Sequence, residues 1–351
     1  MNVKLITQDI EFKRIPLGLW GVDRTLLGNK MDKGLPVPSM IELYGAEHTG
    51  KSTFAMYIAA KVAGGEEVVY CDFEGTTMMA PDYAVNVMKN AGFSGTLRFV
   101  DAAEKVKGKT VHRTHEAMFQ ETLERMYEPQ VRVAIVDSIG MFTPATEKKK
   151  KLGERDVGQR PRTIADASRE IRWILRETYI AGHEPKVFIF VNHTHPTIGG
   201  PGGFWTPGGV TKQAAADIRL FIRRRENDIP DGASNFLAIV QAQKMKIGGK
   251  SASRQAYLFF VPNYGISPEM TAIMDGVDWG VVDRKATVKV KDENGDMESI
   301  GYMSKLVDSA VTGKDKTKFK KVIEALEREE ARGVEPEIGL EETEETEDVV
   351  D

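Results

Sequence analysis

Eight consecutive residues, Gly45-Ala46-Glu47-His48-Thr49-Gly50-Lys51-Ser52, meet every fixed position of G-x-x-x-x-G-K-[S/T]. These residue types at this spacing suit a nucleoside polyphosphate. Gly45 and Gly50 let backbone N–H groups curl around phosphate oxygens. Lys51 then reaches the β- and γ-phosphates, and the Ser52 hydroxyl ligates Mg2+. Two acids further along can complete a hydrolytic site. Val131-Arg132-Val133-Ala134-Ile135-Val136-Asp137-Ser138 is an apolar run ending in Asp137, the pattern in which a carboxylate holds the Mg2+ shell. Glu74, within Asp72-Phe73-Glu74-Gly75, is a candidate base for the attacking water or, on spacing alone, an exposed loop acid. Cys71 reads as a small core residue. His193-x-His195 lacks the further ligands a zinc site needs.

The elements that must hold these residues are readable too. Met40–Tyr44 alternates apolar and polar and predicts a strand; Thr53–Val62 predicts a helix, whose N-terminus adds partial positive charge to the glycine loop. Glu67–Cys71, Leu97–Val100, Val131–Val136 and Lys186–Val191 predict further strands. Asp72, Asp137 and Asn192-His193 thereby fall at strand carboxyl ends, the edge at which α/β sheets bind ligands. A helix beginning near Ile164 places Ala167, Ile171, Ile174 and Thr178 on one face and Arg169, Arg172 and Arg176 away from it. From Ala216 onward, Asp217–Ile222, Phe236–Val240 and Ala256–Val261 predict a meander extending the sheet, with turns at Pro230–Gly232 and Ile247–Lys250. The expected fold class is α/β with a mixed, mainly parallel central sheet. The expected organisation is a lead over 1–39 available for subunit contacts, a core over 40–280, a small α+β module over 281–334 and an acidic, disordered tail over 335–351.

Composition narrows the class. With 351 residues, 41% hydrophobic and 28% charged, the chain reads as a globular protein. No apolar run approaches the ~18 residues of a membrane span. Met1–Asp9 shows no apolar signal core. One cysteine permits no internal disulfide, so a cytoplasmic setting is expected. Nine acids and no bases from Glu335 onward outweigh the −4 net charge and leave +5 on residues 1–334. Such a body suits a polyanion, with the tail either competing for that site or simply solubilising the chain. Lys148, Lys149, Lys150, Lys151, Arg155, Arg160 and Arg162 form a cationic stretch, with Arg169 on the helix that follows, read as a solvated face or a polyanion contact. Gly199 to Gly209 holds six glycines and two prolines around Phe204 and Trp205. Those rings either stack on bases or tuck against the body.

The order of these pieces (Gly45–Ser52, Asp72-Phe73-Glu74, Val136-Asp137-Ser138, Val191-Asn192-His193-Thr194, Gly208-Gly209, Ile218-Arg219, Lys244-Met245-Lys246 and Asn263–Pro268) resembles the RecA family of strand-exchange recombinases. Its closest look is to phage members of the T4 type, and it covers roughly Ile15 to Val282. The resemblance implies a RecA-like P-loop ATPase core that uses ATP and Mg2+. It further implies a DNA-dependent ATPase that forms a helical filament on single-stranded DNA, with ATP at the subunit interface, and pairs that strand with homologous duplex. A single-strand binding protein and a mediator are the implied accessory partners, and a phage-borne member would work in the bacterial host cytoplasm.

By the same resemblance, Gly45, Glu47, His48, Thr49, Gly50, Lys51, Ser52 and Thr53 surround the nucleotide, and Tyr83 of Pro81-Asp82-Tyr83-Ala84 stacks on adenine. Glu74 matches the catalytic glutamate, while Ser52 and Asp137 match the magnesium site. Asn192 and His193 match the γ-phosphate sensor, His193 standing where cellular members carry glutamine. Lys244 and Lys246 match lysines that reach the neighbouring subunit's ATP. The basic stretch before Ile164 matches a first DNA loop. Ile198–Gln213 matches a second, which brings in Gly199, Gly200, Phe204, Trp205, Gly208, Gly209, Thr211 and Lys212. The sequence departs from the family in its shorter lead and in Ala214, where many members place an aromatic. Two rivals share the core: a RecA-fold helicase or motor, and a recombination mediator. No oligomerisation domain fits before residue 40, which argues against the first; the intact Lys51, Ser52, Glu74 and Asp137 argue against the second.

Overall fold

The computed structural model describes residues 13–28, 33–100, 102–106, 109–145, 159–196, 204–225, 234–246, 254–285 and 287–333. Lys148, Lys149, Lys150, Lys151, Arg155, Gly199, Gly200, the two expected meander turns and the acidic tail lie outside the described residues. Runs rich in β-branched and aromatic residues build a nine-stranded sheet. Its strands are β1 (Ser39–Gly45), β2 (Glu67–Asp72), β3 (Thr96–Val100), β4 (Val131–Asp137), β5 (Val187–His193), β6 (Ile218–Arg225), β7 (Phe236–Met245), β8 (Gln255–Val261) and β9 (Gly265–Ile266). They lie in the order β9-β8-β7-β6-β1-β5-β4-β2-β3. The six from β6 to β3 run parallel, and the β6–β9 meander is antiparallel.

Helices cover both faces, as a buried parallel sheet requires. They are α1 (Lys51–Ala63), α2 (Thr76–Met79), α3 (Pro81–Asn90), α4 (His115–Arg125), α5 (Gln159–Ile180), α6 (Gly209–Ala215), α7 (Pro268–Asp278), α8 (Met303–Thr312) and α9 (Thr317–Ala331). Within β5 the two-residue period sends Val187, Ile189 and Val191 to the α1/α3 face, while Phe188 and Phe190 go to the α4/α5 face. α5 starts at Gln159, earlier than the sequence suggests, so Arg160 and Arg162 stand on its first turns rather than in a loop. A hairpin of Ala103–Val106 with Lys109–His112 lies between β3 and α4. Val22–Leu26 forms a π-helical turn.

After β9 the chain adds β10 (Val282–Arg284), β11 (Val288–Lys291) and β12 (Met297–Gly301), an antiparallel sheet backed by α8 and α9. A third apolar cluster runs from Trp20, Leu237 and Phe259 through Ile273 to Val290, Leu306 and Leu326. The C-terminal elements therefore share one core with α7 and the meander. Among the described residues, no helix is long and apolar enough to cross a membrane.

Candidate nucleotide site and its neighbours

Parallel register brings the chemistry together. Gly45 pairs with His193 and Asp72 with Asp137, so the carboxyl ends of β1, β2, β4 and β5 share one edge. The glycine loop leaves β1 and enters α1 at Lys51. Gly50 has φ 87°, and a Cβ there would stand 2.5 Å from the Phe260 ring. At Gly45 a Cβ would meet the Ile222 carbonyl oxygen at 2.0 Å. The loop is thus pressed against β6 and β8 at two points where only glycine fits. Thr49 Oγ1 donates to the Ala46 carbonyl at 3.0 Å, and Lys51 Nζ donates to the same oxygen at 2.5 Å. Burial pulls the Lys51 pKa below its ordinary value, opposed by Asp137, Glu74 and Glu47. Glu47 and His48 lie exposed on the loop.

The carboxylates stand opposite. Asp137 is buried, and burial pushes its pKa up to about 6 against hydrogen bonds from Ser52 and Tyr70. The Tyr70 hydroxyl donates to Asp137 Oδ2 at 2.6 Å. Asp72 accepts four backbone N–H groups, from Glu74, Gly75, Thr77 and Met78, and so fixes the turn that carries Glu74. Glu74 Oε1 accepts from Ser138 Oγ at 2.6 Å and meets His193 Nε2 at 2.9 Å. His193, burial and Ser138, in that order of weight, act on Glu74, and the net effect holds its carboxyl below the usual range. Neither Tyr70 nor Ser138 was singled out from sequence. Ser138 adjoins Asp137 in the motif already quoted, and that adjacency was the available signal.

A polyphosphate with Mg2+ fits these groups. Lys51 Nζ is turned onto its own loop carbonyl, and the buried His193 Nδ1 has no hydrogen-bond partner. Ser52 and Asp137 already touch. Among the described residues no cluster of three His, Cys, Asp or Glu side chains is present. One hydroxyl and one carboxylate, completed by phosphate oxygens, are what Mg2+ accepts in such sites. Tyr83 stands beside α1, its hydroxyl 2.7 Å from Thr53 Oγ1.

Two of the expected contact residues are buried. Asn192 has no exposure: its Nδ2 donates to Glu42 Oε1 and to the Pro207 carbonyl, both at 2.9 Å, and its Oδ1 accepts the His193 N–H at 3.0 Å. It therefore holds the His193 backbone against Glu42 and Pro207. Lys212 is likewise fully buried, paired with Glu42 Oε1 and donating to the Pro207 carbonyl at 2.7 Å. Arg219 Nε takes the other Glu42 oxygen at 2.8 Å. In this arrangement the ammonium of Lys212 is taken up by Glu42 and the Pro207 carbonyl. Gly208 is buried and Gly209 half-buried, packed towards Ile164 and Pro161 of α5.

The remaining residues divide by exposure. Phe204 is 37% exposed and stacks on Phe221 at 5.0 Å, which is the tucked alternative; Trp205 is 53% exposed and lies 5.1 Å from the His195 ring. Both sit in a two-residue strand paired with His195–Pro196. Thr211, Arg162 and Arg169 are exposed, Arg169 pairing with Asp166. Arg160 donates to the Gly140 carbonyl at 3.1 Å. Lys244 Nζ donates to the carbonyls of Gln213 and Ala214 at 2.6 and 3.0 Å, and Lys246 Nζ to those of Ala214 and Ala215 at 2.5 and 3.4 Å. Both lysines thus close the C-terminal end of α6.

A glycine loop between strand and helix, with an acid at the end of the neighbouring strands, defines a P-loop nucleotide-binding protein of the ATPase type. Residues 4–255 match the RecA N-terminal domain. The chain is 27% identical over 253 residues to Protein RecA of Acidothermus cellulolyticus, covering 71% of this chain and 67% of that one. It is 26% identical over 294 residues to that of Nitratiruptor sp. (81% and 77%) and 27% identical over 274 residues to that of Thermus aquaticus (77% and 73%). The chain belongs to the RecA family, and with it to the ATP-dependent recombination and strand-exchange proteins.

Proposed function

We propose that this chain is a DNA-dependent ATPase that assembles as a filament on single-stranded DNA and pairs it with homologous duplex. The observation that carries this is the convergence of Lys51, Ser52, Glu74, Asp137 and His193 on one sheet edge, in a chain whose family is recombinational. Bound ATP–Mg2+ supplies the scissile γ-phosphate and the charge that polarises it. Loop N–H groups and Lys51 bind the phosphates, Ser52 and Asp137 hold the cation, and Tyr83 borders the base. Glu74 takes the proton of the attacking water, its carboxylate kept ionised by Ser138 and His193. On the exposed side, Arg162, Arg169, Thr211 and Trp205 contact the strand through phosphate pairing and base stacking. Lys244 and Lys246 reach a neighbouring subunit's ATP once assembled. The phage affinity rests on His193, and a cytoplasmic setting goes with it. A mediator that keeps the fold without turnover would have no use for a base held by two donors.

The test is ATP hydrolysis with and without single-stranded DNA, beside Lys51→Ala, followed by electron microscopy of the complexes. Turnover stimulated by the strand, lost in the variant and accompanied by filaments supports the proposal. Turnover indifferent to the strand, or closed rings in place of filaments, overturns it.

A further inference from the structure

Glu74 is followed into the sheet edge by its own side chain, but the residue before it leads elsewhere. The Phe73 ring is buried in the α4/α5 core cluster, and its backbone N–H donates to the Asp137 carbonyl at 2.7 Å. His115, the first residue of α4, stacks on that ring with centroids 4.8 Å apart and planes 18° off parallel. Phe142, fully buried, lies 5.6 Å from Phe73 and 6.2 Å from His115. His115 Nδ1 accepts the backbone N–H of Thr143 at 3.0 Å, which places the ring proton on Nε2. The next residue, Glu116, accepts the Ala145 N–H. On the far side, Arg160 of α5 reaches back to the Gly140 carbonyl. Gly140 sits in the turn Ile139–Met141, directly after the Ser138 that holds Glu74. Thr143 and the backbone that carries Glu74 are therefore joined through one hydrogen bond and one aromatic stack.

We propose that His115 is a positioning residue. Through Phe73 it ties the Thr143–Ala145 segment to the backbone of Glu74, so that single-stranded DNA engaged beside α5 resets the Glu74 carboxylate between Ser138 and His193. Close packing is what makes such a link transmit: three rings in mutual contact cannot absorb a displacement of Phe142 without moving Phe73. The two arrangements are Glu74 held on one oxygen by both donors, as here, and Glu74 re-aimed towards the water. This rests on the DNA-dependent ATPase proposed above.

His115→Phe keeps the stack and removes the acceptor. Thr143→Pro removes the donor of the same bond, and Phe142, at φ −57° and ψ 122°, already has the extended backbone a following proline requires. Because the variants cut one bond from two sides, a folding defect in either leaves the other to decide. On the full chain, basal ATP turnover should stay within about twofold of wild type. Stimulation by a single-stranded oligonucleotide should fall about fivefold or more, at unchanged oligonucleotide affinity by fluorescence anisotropy. A purely structural role would lower basal and stimulated turnover together. A stimulated wild type with fully stimulated variants would overturn the link alone, as would stimulation lost only in proportion to weakened DNA binding. A wild type indifferent to single strands would overturn the functional reading and the link with it.

Discussion

Lys212→Ala separates two accounts of one lysine, as a DNA contact and as half of a buried ion pair. Glu42 and Lys212 both have no exposure, and Glu42 is shared among Lys212, Arg219 and Asn192. Burial alone would raise the Glu42 carboxyl, yet Lys212 and Arg219 hold it below its ordinary value. Removing one partner of such a pair costs about 3–5 kcal/mol, because the other charge stays buried. Arg219 and Asn192 remain on Glu42, and Asn192 remains on the Pro207 carbonyl, so the lower end applies, about 3 kcal/mol. With an unfolding entropy of about 2.1 cal/mol/K per residue over 351 residues, each kcal/mol shifts Tm by roughly 1.4 °C, so Tm drops by about 4 °C. The assay pairs denaturant unfolding with a salt titration of binding to a single-stranded oligonucleotide. Each phosphate contact removed lowers the slope of log affinity against log salt by about 0.7 on single strands. The buried pair predicts lost stability with an unchanged slope. A variant as stable as wild type with a shallower slope would refute the reasoning.

Two further expectations concern titration. His193 is the largest influence holding the Glu74 carboxyl below its ordinary range, so His193→Ala lets that pKa rise. The base works ionised, and the acid limb of the pH–turnover profile should move to higher pH; an unmoved limb would contradict the Glu74–His193 pairing. Asp275, buried beneath the Gly21 N–H at 2.9 Å, is pushed up to about 7 by burial. Its contribution to stability is complete below its unfolded pKa near 3.8 and is lost as pH rises through about 7. Asp275→Asn stays neutral and keeps an acceptor for Gly21, so it should gain on wild type between pH 4.5 and 7.5 by about 2–4 kcal/mol. Parallel stability–pH curves for the two chains would rule this out.

How much of this was legible in the sequence depends on what kind of physics each residue obeys. The glycine loop was legible because its constraints are local. A loop cradling phosphate needs glycine where φ is positive and where another backbone or ring presses in, and Gly50 beside Phe260 meets that need. The parallel strands were legible because their two-sided burial leaves unbroken apolar runs such as Val187–Val191. Lys212 was not, since nothing in a seven-residue helix with one lysine says that Glu42, 170 positions away, will bury beside it. Phe204 and Trp205 illustrate the same limit: neighbours in a strand point to opposite faces, and only the position of Phe221 decides which ring is covered. The start of α5 was misplaced because Arg160 and Arg162 carry no apolar period, although long polar residues are good helix formers.

Asn192 has a consequence for how the second loop can move. A carboxamide has one oxygen and two N–H groups, and here the oxygen faces the His193 N–H while Nδ2 serves Glu42 and Pro207. Turning the group over would set oxygen against oxygen on one side and N–H against N–H on the other. It is a keyed joint with a single seating. Glu42 belongs to the strand feeding the glycine loop, His193 to the end of the strand beside it, and Pro207 to the foot of the loop that carries Trp205. Any sliding of that foot must unseat the joint, not bend it, so motion there passes between discrete positions.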